Sequence, residues 1–267
     1  MRKLLFTLLI GLFILLNTAT AQERLRLATT TSTADSGLLS VLHPAAEAAL
    51  GAKIDVIAVG SGKALKLGEN GDVDVLLVHD PEAEEKFITE GFGSGRQPVM
   101  HNDFILLGPA ADPAGVRQAT GIADAMRRIA GGPASFVSRG DESGTHQKEL
   151  QLWRAAQVAP SGRWYLSVGQ GMGAVLKIAD DKLAYTLADR GTYLALREQL
   201  ELAIVFAGDP ELFNPYHVIL IDPEKHPHVK HELARKYSEF IRGETGQRII
   251  REFKIEGETL FHPDVIP

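Results

Sequence analysis

The 267-residue chain contains no cysteine. Disulfide bonds, thiolate metal ligands and cysteine nucleophiles are therefore excluded, and so is a lipid anchor attached through a cysteine behind a leader. A fold of this size without disulfides must be stabilised by a hydrophobic core. The roughly 246 residues that would follow a cleaved leader are enough for two lobes of ordinary size.

Positive charge is also scarce, because 28 Lys and Arg residues stand against 34 Asp and Glu residues and the formal net charge is −6. An acidic protein is a poor candidate for nucleic-acid binding, and we expect no nucleic-acid partner. Long-range attraction would not draw an anion in either. Any anion site must therefore be built from local dipoles and single cations.

The sequence lacks the motifs of several enzyme classes, namely Gly-x-Ser-x-Gly, Gly-x-x-x-x-Gly-Lys-Ser/Thr and His-Glu-x-x-His. His226, His228 and His231 are close in sequence, but their spacing does not put all three on one helix face, so we expect no metal site there. The composition therefore favours a binding protein over an enzyme, with no cofactor and no metal beyond a bound ligand.

The one long apolar run lies at the N-terminus, over residues 4–16. Arg2 and Lys3 precede it, and Ala19 and Ala21 form a small-x-small cleavage site after it. The run is too short to span a membrane comfortably. The pattern predicts a signal peptide over residues 1–21 and an exported protein that begins at Gln22.

Strand and helix patterns alternate along the rest of the chain, which predicts an α/β fold with mostly parallel sheets. Apolar strands are predicted at residues 25–28, 54–59, 73–78, 104–109 and 135–137, each followed by a polar or glycine-rich turn. Loops after parallel strands gather at one sheet edge, where ligands of such folds bind. The loops after these strands are therefore the candidate site.

Two of these turns carry the chemistry of an anion site. One is the run Thr29 to Ser32, and the other is residues 138–146, Ser-Arg-Gly-Asp-Glu-Ser-Gly-Thr-His. Both place small hydroxyl residues and backbone N–H groups at a predicted helix start, which suits an anion. Arg139 adds a guanidinium, and Asp141 is placed to hold it. Helix capping and a structural Arg139–Asp141 ion pair are the alternative explanations.

The chain resembles the tungstate-binding proteins of ABC uptake systems. The resemblance runs from about residue 25 to 222, and its motifs lie at residues 28–32, 35–39, 74–79, 102–104, 138–146, 169–173 and 185–193. It implies a two-lobed type II periplasmic binding protein with a hinge between the lobes. It also implies a periplasmic location, docking on a membrane permease with its ATPase, and capture of tungstate or molybdate. We expect a monomer.

The resemblance also implies residue roles and boundaries. The oxyanion ligands would be Thr30, Thr31, Ser32, Ser61, Arg139, Ser143, Gly144 and Thr145, with Gly171, Met172 and Thr186 as weaker candidates. The first lobe would comprise residues 22–103 and return over residues 206–267, and the second would comprise residues 104–205.

Two alternatives stay open at this point. Similar Arg-x-Asp-x-Ser-Gly-Thr sequences occur in phosphate-binding proteins, and monohydrogen phosphate needs an acceptor for its proton, for which Asp80 on a strand-end loop is placed. A secreted phosphatase-like enzyme is the other alternative, since His146 and Asp141 lie near Arg139. Turnover of a phosphate ester would favour the enzyme.

Overall fold

The computed structural model describes residues 22–255 and 257–265. The predicted signal peptide, residues 1–21, lies outside the described residues. Within the described ranges, none of the helices combines the length and the apolar character that crossing a bilayer requires.

Strands and helices alternate as the sequence predicts, in a mixed α/β fold. The elements before the middle of the chain are β1 (Arg24–Thr30), α1 (Thr31–Asp35), α2 (Leu38–Leu50), β2 (Lys53–Val59), α3 (Ser61–Glu69), β3 (Val75–Val78), α4 (Pro81–Thr89) and β4 (Gly93–Gly108). Those that follow are α5 (Ile122–Gly131), β5 (Phe136–Ser138), α6 (Gly144–Ala155), β6 (Tyr165–Ser167), α7 (Met172–Asp181), β7 (Thr186–Asp189), α8 (Arg190–Leu196) and β8 (Ala203–Phe206). The chain closes with β9 (Phe213–Ile221), α9 (His231–Arg242), α10 (Glu244–Glu252), β10 (Lys254–Ile255), β11 (Glu258–Thr259) and β12 (His262–Pro263).

The main sheet brings three strand ends to one edge. Its order is β12-β4-β9-β3-β1-β2, and β1 pairs in parallel with both β2 and β3. Because parallel strands end on the same side, the residues after β1, β2 and β3 lie close together. This edge collects Thr30, Gly60 and His79.

Strand β4 joins the two lobes. Its first part, up to Asp103, pairs with β9, and from Phe104 onward it pairs with β7 and β8. The chain returns between β8 and β9, since these strands pair with different parts of β4. The boundary suggested near residue 103 remains a prediction, and it falls where β4 changes partners.

Successive residues of a buried strand pack into different hydrophobic clusters of the core. In β3, Val75 and Leu77 face one hydrophobic cluster, while Leu76 and Val78 face another, as the two-residue period of a buried strand requires. A third cluster lies around Trp153, which is fully buried against Phe136. The tryptophan therefore packs in the core.

The helical segment after β1 is divided into two helices near its start. Gly37 adopts a left-handed conformation, with φ of 83°, and separates the short helix α1 from α2. Pro44 lies inside α2 without ending it. The break leaves Thr31 and Ser32 on their own short turn, directly after β1.

Candidate anion-binding site

A small cavity lies where the ends of β1, β2 and β3 face the start of α6. Its lining residues are Thr30, Thr31, Ser32, Gly60, Ser61, His79, Arg139, Ser143, Gly144 and Thr145. The structure thus brings together the eight residues that the sequence put forward as main ligands. It adds Gly60 and His79, which the sequence reasoning did not include.

The first lobe supplies hydroxyl groups from two strand-to-helix turns. Thr30 caps α1, because its Oγ1 accepts a hydrogen bond from the Thr33 N–H at 3.2 Å, and it also lies 3.1 Å from the Ser32 Oγ. Capping and a site role are therefore compatible in this turn. Ser61 begins α3, and its buried Oγ has no hydrogen-bond partner within the described residues.

The second lobe supplies the start of α6. Ser143 caps this helix by accepting from the His146 N–H at 3.3 Å. The Thr145 side chain in the first turn is 2% exposed, and its Oγ1 has no partner among the residues described. Buried hydroxyls without partners are rare in proteins, and each calls for an unseen acceptor or donor. Two such atoms, one from each lobe, belong to residues that line the same cavity.

Arg139 is the cation of the site, and the Asp141 carboxylate fixes the position of its guanidinium. Its Nη2 donates to the Asp141 Oδ2 at 2.6 Å, and its Nε donates to both carboxylate oxygens at 3.2 Å. These bonds leave Nη1 available to a bound anion. Burial alone would raise the pKa of Asp141, but the bonds from Arg139 and Ser143 outweigh it and hold the pKa below its usual range. The carboxylate therefore stays charged and fixes the guanidinium.

The loop that carries Arg139 folds tightly because of a glycine. Gly140 has φ of 60°, and a Cβ at this position would lie 1.9 Å from the Ser167 Oγ. A side chain would therefore clash and would also be strained. The Gly140 backbone lets the loop turn from β5 to α6 within a few residues, which puts Arg139 and Thr145 beside the same cavity.

No carboxylate lines the cavity among the residues that the structure describes. Asp80, the acceptor considered for a phosphate proton, lies outside it and caps α4 by accepting from the Ala83 N–H at 3.2 Å. His146 is also outside, where its Nδ1 accepts from the Glu142 N–H at 3.1 Å. The two residues behind the phosphatase alternative, His146 and Asp141, therefore do not line the cavity, which disfavours that alternative.

The two lobes approach each other closely around the cavity. A Cβ added to Gly144 would lie 3.0 Å from the Ser61 Oγ and 3.3 Å from the His79 carbonyl oxygen. A Cβ added to Gly60 would lie 3.7 Å from the Ser143 Cβ. The lobes are therefore closed over the cavity, and small residues on both sides permit that approach.

His79 has the polar side chain that sequence reasoning missed. It follows β3 and is 4% exposed, and its ring packs on Tyr216 with centroids 4.6 Å apart. Its Nε2 lies 3.5 Å from the Ser32 Oγ, and its Nδ1 lies 2.9 Å from the Asn214 Oδ1. Burial lowers the pKa of His79, which keeps the ring neutral at neutral pH. A usable signal existed, since His79 immediately follows a predicted strand whose loop was expected at the crevice.

The three weaker candidates lie elsewhere. Gly171 lines a separate, wider groove that Thr31 and Arg139 also line. Met172 packs into the main hydrophobic cluster. Thr186 is fully buried, and its Oγ1 donates to the Val137 carbonyl at 2.8 Å. The structure does not bring these three to the cavity wall.

The histidine group near α9 has a structural explanation. His226 Nε2 lies 2.9 Å from the Glu69 carbonyl oxygen, and His228 Nε2 lies 2.9 Å from that of Gly71. These contacts fasten the loop before α9 to the end of α3. Across residues 22–255 and 257–265, no group of three or more His, Cys, Asp or Glu side chains could hold a metal ion.

Fold and site together define a class, that of two-lobed binding proteins which close over a small ligand. A family model described as a PBP superfamily domain matches residues 17–244. The tungstate-binding protein TupA of Peptoclostridium acidaminophilum is 47% identical over 248 residues, which cover 91% of this chain and 87% of that protein.

Two solved structures agree with this match. The tungstate ABC transporter protein from Geobacter sulfurreducens is 52% identical with a TM-score of 0.80, over 86% of this chain and 99% of that one. The tungstate-binding protein TupA from Desulfovibrio alaskensis G20 is 44% identical with a TM-score of 0.79, over 91% and 100%. The chain belongs to the PBP superfamily and, within it, to the family of these tungstate-binding proteins, whose stated role is binding rather than catalysis.

Proposed function

We propose that this protein is the substrate-binding component of an ABC importer, and that it captures tungstate between its lobes. The observation that carries the proposal is the composition of the cavity wall. Hydroxyl groups, helix-start N–H groups and one guanidinium line it, no described carboxylate does, and the Ser61 and Thr145 hydroxyls are buried without partners.

This wall suits an anion that has only acceptors. A fully deprotonated tetrahedral oxyanion can accept hydrogen bonds on every oxygen and can donate none, so a site made of donors complements it. Hydrogen bonds to charged groups contribute roughly 1.5–3 kcal/mol each, and six would supply on the order of 9–18 kcal/mol before the cost of closing the lobes. Nanomolar capture needs about 12 kcal/mol, which lies within this range.

The choice of tungstate over molybdate rests on the relatives. The two ions have the same charge and nearly the same size, so the donors of the cavity interact with both in the same way. The similar proteins from Peptoclostridium, Geobacter and Desulfovibrio are named for tungstate. Tungstate is therefore the expected ligand.

Phosphate is the second candidate, and one observation favours it. Monohydrogen phosphate carries a proton that needs an acceptor. Asp80 cannot serve, since it lies outside the cavity. His79 could, because its neutral ring has one nitrogen without hydrogen, and Nε2 is the nitrogen beside Ser32.

Delivery to a membrane permease and its ATPase follows from the role of an importer's binding component. We infer that the protein is exported through its N-terminal leader to the periplasm and works there as a monomer. The lobes would comprise residues 22–103 with 206–267, and residues 104–205. The change of partners along β4 between Asp103 and Phe104 supports this division.

A thermal-unfolding series with tungstate, molybdate, sulfate and phosphate at fixed ionic strength tests the function. A ligand present at a hundred times its Kd adds about 2.7 kcal/mol to the free energy of unfolding, so the true substrate raises Tm most. We expect a large shift with tungstate and molybdate, and a small one with sulfate and phosphate. A shift with phosphate alone, or hydrolysis of a phosphate ester by the purified protein, would contradict the proposal.

A further inference from the structure

His79 connects the cavity to a buried chain of amide groups. Its Nε2 faces Ser32 at the cavity, and its Nδ1 faces the Oδ1 of Asn214 on β9. Asn214 Nδ2 in turn donates to the Asn102 Oδ1 at 2.6 Å and to the Tyr216 hydroxyl at 3.2 Å. His79, Asn102 and Asn214 are each less than 5% exposed. Which nitrogen of the His79 ring carries the hydrogen therefore depends on the O/N orientation of the Asn102 and Asn214 amides.

In this arrangement, the cavity gains an acceptor. A carboxamide oxygen only accepts, so the hydrogen of the neutral ring must lie on Nδ1, where it is donated to Asn214. The Nε2 lone pair then faces the cavity, among groups that otherwise donate. An acceptor at this position repels a proton-free oxyanion.

The same arrangement leaves a buried donor unpaired. Asn102 Nδ2 is buried and has no acceptor among the described residues. An unpaired buried donor costs about 1–3 kcal/mol. Buried N–H groups without partners are rarer in folded proteins than carbonyl oxygens that lack one.

A half-turn of both amides gives this donor a partner and leaves an acceptor unpaired in its place. Asn102 Nδ2 then donates to the Asn214 oxygen, the Tyr216 hydroxyl can donate to the same oxygen, and the unpaired atom becomes the Asn102 carbonyl oxygen. Asn214 Nδ2 now points at the His79 Nδ1, which must accept. The single ring hydrogen consequently moves to Nε2 and faces the cavity.

We propose that His79 is a specificity-determining residue of the site, and that in the loaded protein both amides are turned so that its Nε2–H is donated to the oxyanion. The inference rests on the proposed function, since it concerns the same cavity. With the hydrogen on Nε2, His79 joins the other hydrogen-bond donors of the cavity wall. This tautomer also disfavours monohydrogen phosphate, because the phosphate O–H would then meet an N–H where the bare Nε2 would have accepted it.

The tautomer can be measured directly by long-range proton–nitrogen NMR on nitrogen-15-labelled protein saturated with tungstate. His79 signals are assigned by their loss in a His79→Gln variant. We expect a protonated, pyrrole-type Nε2 and a bare, pyridine-type Nδ1. A bare Nε2, or an Nδ1 that still carries hydrogen, overturns the inference while leaving tungstate binding intact.

Calorimetric titrations with tungstate and phosphate provide the second readout. His79→Leu should weaken tungstate binding by at least about tenfold, as expected for one lost hydrogen bond to a charged group. His79→Gln, whose amide N–H can reach the position of Nε2, should retain most of the affinity and the preference over phosphate.

His43→Leu is the matched control, since His43 is also buried but bonds to Tyr237, away from the cavity, and it should bind as the wild type does. Wild-type affinity in His79→Leu overturns the inference, and the NMR result decides if that variant does not fold. A wild-type protein that binds no tungstate overturns the proposed function as well.

Discussion

The buried hydroxyls of Ser61 and Thr145 should disfavour the closed conformation of the empty protein and favour closure around a bound anion. Each lies without a partner in the closed structure, one on each lobe. Burying an unpaired hydroxyl costs about 1–3 kcal/mol, so the pair disfavours the empty closed state by about 2–6 kcal/mol. When an oxyanion is bound, each hydroxyl donates a hydrogen bond to a charged group, so neither cost remains.

Replacing these hydroxyls should therefore have two opposite effects. In a Ser61→Ala, Thr145→Val double variant, the empty protein should populate the closed form more, because about 1.4 kcal/mol shifts an equilibrium tenfold. Tungstate affinity should fall by at least about a hundredfold, as two hydrogen bonds to a charged group are lost. Small-angle X-ray scattering reports the radius of gyration of the empty protein, and calorimetry reports the affinity.

Thr29→Val is the matched control for these measurements. Thr29 is equally buried, but its Oγ1 donates to the Leu77 carbonyl at 2.7 Å and it does not line the cavity. This variant should lose stability without a change in affinity or in empty-state compaction. The reasoning is refuted if the double variant binds tungstate as tightly as the wild type, or if its empty form is as extended as that of the wild type.

Three further changes test other parts of the structure. Arg139→Ala should weaken tungstate binding by at least about tenfold while the chain stays folded, since one or two charged hydrogen bonds are lost. Gly144→Ala should keep the loaded protein extended in X-ray scattering and weaken binding, because its Cβ would meet the Ser61 Oγ at 3.0 Å. Glu149→Gln should stabilise the protein at pH 8 by up to roughly 3 kcal/mol in denaturant unfolding and have little effect below about pH 4.5.

The sign of the Glu149 effect follows from its burial, which raises the pKa of the carboxyl to about 7. The folded protein then binds this proton more tightly than the unfolded chain does. The resulting stability is present at low pH and is lost as the pH rises through 7. A wild-type protein whose stability relative to Glu149→Gln does not change between pH 4.5 and 8 would contradict this reasoning.

The control for Arg139 is Arg128→Ala, another arginine of the second lobe that pairs with an aspartate, at 3.0 Å, away from the cavity. It should bind tungstate normally. Arg139→Ala with near-normal affinity would remove the guanidinium from the site. For Gly144→Ala, a loaded protein as compact as the wild type would show that the lobes tolerate the added methyl group.

Long-range pairing explains what sequence reasoning missed in the fold. The sequence suggested a strand only from Phe104 to Pro109, whereas β4 runs for 16 residues from Gly93. Its first part carries polar residues and Pro98, beside which the register with β9 shifts. Proline cannot donate to a ladder, and a strand with polar side chains shows no apolar alternation. This part of β4 nevertheless forms a strand, because it pairs with β9, which lies far along the chain.

The local chemistry of the site is encoded by residues that are neighbours along the chain. Small hydroxyl residues and an arginine at strand-to-helix turns are specified within a few neighbouring positions, because caps, tight turns and the Arg139–Asp141 pair are short-range interactions. Which of these groups face one another depends instead on long-range packing. Thr186 has the right hydroxyl but is paired inside the second lobe, and Asp80 has the right carboxylate but caps a helix outside the cavity.

His79 shows the reason most clearly. The group that sets its tautomer, Asn214, lies 135 positions away, on a strand that reaches the ring only after the chain has passed through the second lobe and returned. Such a hydrogen bond and such burial depend on distance in space, so no local pattern of residue types encodes them.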